Sequence, residues 1–129
     1  MRRPSVLLIE DDHDLRHLYR ATFTLAGFDV REARGGFEAL RHLDVHVPDA
    51  VVLDLMLPGI DGFAVREELA TDARTRDIPI VVVTGVLAKL DALGVYCVLN
   101  KPVTPERLLM TVRSSLLPAA PATVVPSVT

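Results

Sequence analysis

The chain contains no tryptophan, one cysteine and few aromatic residues, which make up 5% of its 129 residues. Because half of the residues are nevertheless hydrophobic, the core must consist mainly of Val, Leu, Ile and Ala, as in buried parallel sheets. The lone Cys97 excludes an intrachain disulfide and lies in an apolar run, so we expect a buried thiol that behaves as a small hydrophobic group in a reducing compartment.

Long apolar runs and basic clusters are also missing. No stretch is long enough to span a bilayer, and no apolar signal region precedes the first acidic residue, Glu10. The formal net charge of −3 argues against a nucleic-acid groove, which would need Lys and Arg gathered on one face. We therefore expect one soluble, cytoplasmic domain that contacts neither membrane nor nucleic acid directly.

Short apolar runs alternate with amphipathic stretches, which is typical of repeated βα units around a parallel sheet. The predicted strands are Ser5 to Ile9, Asp29 to Ala33, Ala50 to Leu53, Ile80 to Val83 and Tyr96 to Leu99. The predicted helices are Asp14 to Ala26, Gly36 to Leu43, Phe63 to Ala70 and Pro105 to Leu117. This pattern predicts an α/β, flavodoxin-like, doubly wound five-stranded parallel sheet of order 2-1-3-4-5, flanked by helices.

Helical spacing predicts which residues face the core. The first helix has a predicted apolar stripe of Leu15, Leu18, Tyr19, Thr22 and Ala26. The second is expected to bury Phe37, Leu40 and Leu43.

Polar residues that could bind an ion or take part in a reaction follow four of the five predicted strands. They are Glu10 and Asp11, Asp54, Thr84 and Lys101. The strand order places the first and third strands side by side, so their carboxylates should meet in the crevice outside the carboxyl ends of the strands.

Three carboxylates at about 5 Å would repel one another by about 3 kcal/mol per pair at an effective dielectric constant near 20. Lys101 supplies one compensating charge, and a divalent cation would supply two more. All-oxygen ligation suits Mg²⁺, with Mn²⁺ as a second option. A neutralised carboxylate beside lysine, threonine and backbone amides suits phosphoryl transfer with Asp54 as the nucleophile.

The chain resembles the receiver domains of two-component response regulators. The resemblance extends from Ser5 to about Leu117. It is carried by Val-Leu-Leu-Ile-Glu-Asp-Asp at 6–12, Asp-Leu-Met-Leu-Pro-Gly-Ile-Asp-Gly at 54–62, Ile-Pro-Ile-Val-Val-Val-Thr at 78–84, and Lys-Pro at 101–102. Each motif is modest alone, but their order and spacing are specific.

The resemblance implies a signalling switch in which Asp54 accepts a phosphoryl group from the phosphohistidine of a sensor histidine kinase or a histidine phosphotransfer protein. It implies Mg²⁺ held by Asp11, Asp54 and the backbone carbonyl of Met56, with Glu10 bound through a metal-coordinated water. Beyond this self-catalysed phosphotransfer and autodephosphorylation, no enzymatic activity is expected.

The same resemblance assigns two further residues to the phosphoryl group. Lys101 would pair with its oxygens, and the Thr84 hydroxyl would turn toward them after modification. The Lys101–Pro102 bond would be cis.

The sequence departs from the family pattern between the fourth and fifth strands. Thr84 and Lys101 are seventeen positions apart, which predicts a short or irregular fourth helix near 87–93. Val98 stands where an aromatic residue is usual. In the family that the chain resembles, the positions two beyond the acceptor and the threonine influence how water reaches the acyl phosphate. Here they are the apolar Met56 and Val86, which cannot hydrogen-bond an attacking water strongly, so the resemblance implies a long-lived phosphoryl state.

Two alternatives remain open at this stage. One is a receiver-like scaffold that binds partners without phosphorylation. The other is a haloacid-dehalogenase-like phosphatase, although that class needs a second Asp where Met56 stands. We predict a receiver domain over 1–117 and a disordered tail or linker remnant over 118–129. The downstream partner and the oligomeric state are not determined by the sequence.

Overall fold

The computed structural model describes residues 2–85 and 94–118. Within them, the strands are β1 (Ser5–Ile9), β2 (Asp29–Ala33), β3 (Ala50–Leu53), β4 (Ile80–Thr84) and β5 (Cys97–Asn100). The helices are α1 (His13–Leu25), α2 (Gly36–Val45), α3 (Gly62–Thr71) and α4 (Pro105–Ser115). For these nine elements, each predicted boundary lies within two residues of the observed one.

The strands form one parallel five-stranded sheet of order β2-β1-β3-β4-β5, which confirms the predicted α/β fold. The register pairs Ile9 with Leu53 and Thr84 with Asn100. The residue that follows each of these strands therefore emerges at the same edge of the sheet.

The sheet separates two hydrophobic cores because side chains alternate between its faces. Leu7, Val51 and Val82 point to the face that α2 and α3 cover. The neighbouring residues Leu8 and Val52 point to the opposite face, where α1 and α4 lie.

Three of the four helices in the described residues begin with a side-chain cap, and α2, which follows Gly35, does not. Asp12 and Asp61 accept hydrogen bonds from the amides of Leu15 and Ala64, and they cap α1 and α3. Thr104 caps α4 in the same way and precedes Pro105 at the first helical position.

The structure corrects three expectations about burial. Phe37 is 66% exposed and Leu18 is 48% exposed, although both were predicted to face the core. Cys97 is partly buried, and not enclosed. The buried residues of α2 are Gly36, Ala39 and Leu43, and Leu40 packs against the same core, so Phe37 is the member of the predicted stripe that lies outside it.

The predicted short helix near 87–93, the residue Val86 and nearly all of the predicted tail lie outside the described residues. In the part of the chain that the structure describes, no helix combines the length and the apolar character needed to cross a membrane.

Candidate phosphoryl-acceptor site

Backbone hydrogen bonds bring Glu10 and Asp54 together just beyond the ends of β1 and β3. The Asp54 amide donates to the carbonyl of Ile9 at 3.0 Å, and the Glu10 amide donates to Ala33 on β2 at 3.0 Å. Each residue therefore continues the ladder by one position. The two side chains are nearly buried, with 2% of Glu10 and 4% of Asp54 exposed.

Asp11 completes an acidic cluster with these two residues. One carboxylate oxygen from each of Glu10, Asp11 and Asp54 lies within 4.8 Å of the others, and Asp11 is the exposed member. Across residues 2–85 and 94–118, this is the only group of three or more His, Cys, Asp or Glu side chains at metal-ligating distance. The sequence prediction that these carboxylates converge is confirmed.

Lys101 lies across the cluster from the end of β5. Its amide donates to the carbonyl of Thr84 at 2.9 Å, which fixes its backbone, and the Lys101–Pro102 bond is cis. Its Nζ lies 2.8 Å from Oε1 of Glu10 and 3.0 Å from Oδ2 of Asp54. One ammonium thus bridges the two buried carboxylates.

The pKa values of Glu10 and Lys101 both respond to burial and to the ammonium that the two carboxylates share. Burial raises the pKa of Glu10 to about 7, because desolvation outweighs the hydrogen bonds from Lys101 and the Asp12 amide. Burial alone would lower the pKa of Lys101, but its hydrogen bonds to Glu10 and Asp54 raise it above the usual value. The lysine therefore stays charged, and three ionised carboxylates would exceed its charge by two.

Thr84 is the last residue of β4 and is fully buried. Leu53 pairs with Val82, so Thr84 lies two positions further along the strand next to β3. The sheet therefore brings Thr84 to the same edge as Asp54.

The loop after Asp54 folds back on the acceptor. The Met56 amide donates to Oδ1 of Asp54 at 2.9 Å, while the Met56 side chain is 60% exposed. The Gly62 amide donates to the Leu55 carbonyl at 3.0 Å. A Cβ on Gly62 would lie 2.4 Å from the Asp54 carbonyl oxygen, so only glycine permits this closure.

Sequence reasoning missed Arg16, which is 6% exposed and donates from Nη1 to the Glu10 carbonyl at 3.0 Å. A single arginine among polar helix residues gives no signal of burial, because the partner Glu32 lies on another element. His13 and His17 are exposed with ring centroids 4.5 Å apart, and neither belongs to the acidic cluster.

These features define an α/β domain with an acidic cluster and a lysine at the carboxyl edge of its parallel sheet, and comparison with known proteins identifies its family. The sequence profile of the response regulator receiver domain matches residues 6–113. The chain belongs to this family, whose members are signalling proteins that interact with sensor kinases or phosphotransfer proteins and with downstream effectors.

Among curated relatives, the DNA-binding dual master transcriptional regulator RpaA of Synechocystis is 36% identical over 118 residues, which cover 88% of this chain and 49% of that protein. The polar-differentiation response regulator DivK of Brucella ovis is 31% identical, over 87% of this chain and 95% of that protein. The chain spans about half the length of the first curated relatives that it matches.

The fold comparison agrees. The chemotaxis response regulator CheY4 of Vibrio cholerae superimposes with a TM-score of 0.83 at 27% identity, covering 89% of this chain and all of that one. The family assignment leaves the phosphatase alternative without support. Members of this family bind Mg²⁺ through acidic residues, as the carboxylate cluster would allow.

Proposed function

We propose that this chain is a phosphorylation-dependent switch in which Asp54 accepts a phosphoryl group from the phosphohistidine of a sensor kinase or a histidine phosphotransfer protein. The observation that carries the proposal is the position of the Asp54 carboxylate. It is nearly buried at a sheet edge, and it is held between Lys101 Nζ at 3.0 Å and the Met56 amide at 2.9 Å.

The residues present fit a bound Mg²⁺. The clustered side-chain donors are all carboxylates, and one oxygen of each lies within 4.8 Å of the others. Octahedral Mg²⁺ takes oxygen ligands at about 2.0–2.1 Å and keeps several waters, so a cluster of this width would use direct and water-mediated ligands together. We assign Asp11, Asp54 and the Met56 carbonyl as direct ligands and Glu10 as a ligand through water. The bound ion would supply positive charge that offsets the carboxylates and polarises a phosphoryl oxygen.

The transfer requires little covalent chemistry from the protein. A carboxylate oxygen of Asp54 forms a bond to phosphorus while the phosphorus–nitrogen bond of the donor breaks, and the electron pair stays on the imidazole nitrogen. Lys101 then pairs with the new phosphoryl oxygens, and the Thr84 hydroxyl donates to one of them. Positioning and charge compensation provide most of the rate.

Hydrolysis of the aspartyl phosphate ends the signal. Met56 has no side-chain group that could orient an attacking water, so we expect the domain to dephosphorylate itself slowly. We expect the domain to act in the cytoplasm, where its single thiol would stay reduced.

Intact mass after incubation with acetyl phosphate and Mg²⁺ tests the proposal. We expect a gain of one phosphoryl group that disappears in Asp54→Asn and when Mg²⁺ is chelated. Asp12→Asn is the matched control, because it removes a nearby carboxylate while asparagine still caps α1. A wild-type protein that gains no mass would support the scaffold alternative, and labelling of Asp54→Asn would place the acceptor elsewhere.

A further inference from the structure

Arg16 is a buried cation on the second turn of α1 that lies outside the carboxylate cluster. Its Nε pairs with Oε1 of Glu32 at 3.3 Å, and Nη1 donates to the backbone carbonyl of Glu10 at 3.0 Å. Its Nη2 lies 3.3 Å from Nδ1 of His13. Because a guanidinium donates in a rigid planar fork, these contacts fix its orientation.

The hydrogen bond from Arg16 to the Glu10 carbonyl lies just beyond the end of β1, where the sheet no longer provides a partner for that carbonyl. β1 stops at Ile9, and the Glu10 amide still continues the ladder by donating to Ala33 at 3.0 Å. The Glu10 carbonyl instead accepts from Arg16. Both polar groups of the Glu10 backbone are therefore anchored, one by β2 and the other by α1.

The anchored carbonyl belongs to the peptide that leads into Asp11. Rotation of this peptide would move the Asp11 carboxylate relative to Asp54, because the two side chains come from different strands. Asp11 is exposed, so packing constrains it less than it constrains Glu10 or Asp54. Its direction therefore depends strongly on the backbone that precedes it.

We propose that Arg16 is a positioning residue for the metal site: by holding the Glu10 carbonyl it sets the direction of Asp11 and hence the affinity for Mg²⁺. The inference rests on the proposed function, since it concerns the same site. It differs from a purely structural role of Arg16, which would change stability and leave the affinity of the folded protein unchanged.

Mg²⁺ titration of the full chain, followed by backbone amide resonances, separates these two roles. Loss of a group that orients a metal ligand typically weakens binding by about 10–100-fold. We expect Arg16→Met to raise the Kd for Mg²⁺ at least about tenfold, and Arg16→Lys, which keeps the charge without the fork, to raise it less.

Two matched controls are available. Arg20 pairs with the same Glu32, at 3.4 Å, but its side chain is 52% exposed. Val112→Ala disturbs the core beneath α1 without any contact with the cluster. We expect Arg20→Met and Val112→Ala to keep the wild-type Kd even where they lower stability.

A Kd for Arg16→Met within about twofold of the wild type would overturn the inference, since losing a group that orients a metal ligand weakens binding by more than that. If Arg16→Met does not fold, Glu32→Gln tests the same anchor through a partly exposed residue. An unchanged Kd in that variant would overturn the inference, and a Kd raised about threefold would support it. A wild-type protein that binds no Mg²⁺ would overturn the proposed function as well, so the two failures are distinguishable.

Discussion

Replacing Asp11 by asparagine should make the metal-free protein more stable and should remove most of its stabilisation by Mg²⁺. Three carboxylates lie within 4.8 Å of one another, and the ammonium of Lys101 contacts Glu10 and Asp54. The charge on Asp11 therefore adds repulsion in the folded state that the unfolded chain does not have.

The distance sets the size of the effect. Two unit charges 4.8 Å apart repel by about 3.5 kcal/mol at an effective dielectric constant of 20 and by about 0.9 kcal/mol in bulk water. Asp11 is exposed, so water screens much of this repulsion. We expect Asp11→Asn to raise the free energy of unfolding by about 1–2 kcal/mol without Mg²⁺, and by less at high salt.

Urea unfolding followed by far-ultraviolet circular dichroism measures both parts of the prediction. A pH of about 8 is suitable, because Glu10 is then mostly ionised above its pKa of about 7. Mg²⁺ at ten times its Kd should stabilise the wild type by about 1.4 kcal/mol, because it binds the folded state alone. Asp11→Asn should lose most of that increment.

Asp12→Asn again provides the control, since it makes the same charge change one position away and keeps its cap on α1. It should retain the full Mg²⁺ increment. The reasoning fails if metal-free Asp11→Asn is less stable than the wild type, or if it keeps the wild-type response to Mg²⁺.

Three further predictions concern other parts of the domain. Met56→Asn should shorten the lifetime of the phosphorylated state, because an amide can hold the attacking water, and an unchanged decay of labelled phosphate would contradict this. Gly62→Ala should destabilise the protein by about 2–4 kcal/mol and slow phosphorylation, since its Cβ would lie 2.4 Å from the Leu55 Cα. If mass spectrometry shows that the variant is phosphorylated at the wild-type rate, the loop after Asp54 does not need a glycine at this position. Burial alone would raise the pKa of Asp49, but hydrogen bonds from Arg2 and the Ser5 amide outweigh it and lower the pKa. The stabilising contribution of Asp49 is therefore present above its ordinary pKa of 3.8 and is lost as the pH falls through the lower folded-state value. The stability gap between wild type and Asp49→Asn should shrink on acidification, and a gap that widens in urea titrations would contradict the assignment.

The sequence was sufficient to predict that the polar side chains converge, because their positions follow from the strand ends once the sheet order is given. Short apolar runs followed by Glu10, Asp54 and Lys101 define one edge once the strands are parallel. Placing these residues at one edge requires no knowledge of how the side chains pack. The hydrogen bonds between neighbouring strands then set the distances between them.

The orientation of α2 was harder to predict because small residues form much of its buried face. The inner face of α2 begins with Gly36, whose Cβ would lie 2.4 Å from the Ile60 carbonyl oxygen. Hydropathy gives such a glycine no weight, so Phe37 was assigned to the core in its place. The Phe37 ring lies instead against Gly59, within 3.3 Å of the position of a Cβ there.

The ladder between β4 and β5 has a consequence for how this domain can vary. Thr84 pairs with Asn100, and the Lys101 amide donates to the Thr84 carbonyl at 2.9 Å. The distance in space between Thr84 and Lys101 is thus set by the pairing of β4 with β5. It does not depend on how many residues connect the two strands. Insertions or deletions in that connection would therefore leave the separation between Thr84 and Lys101 unchanged.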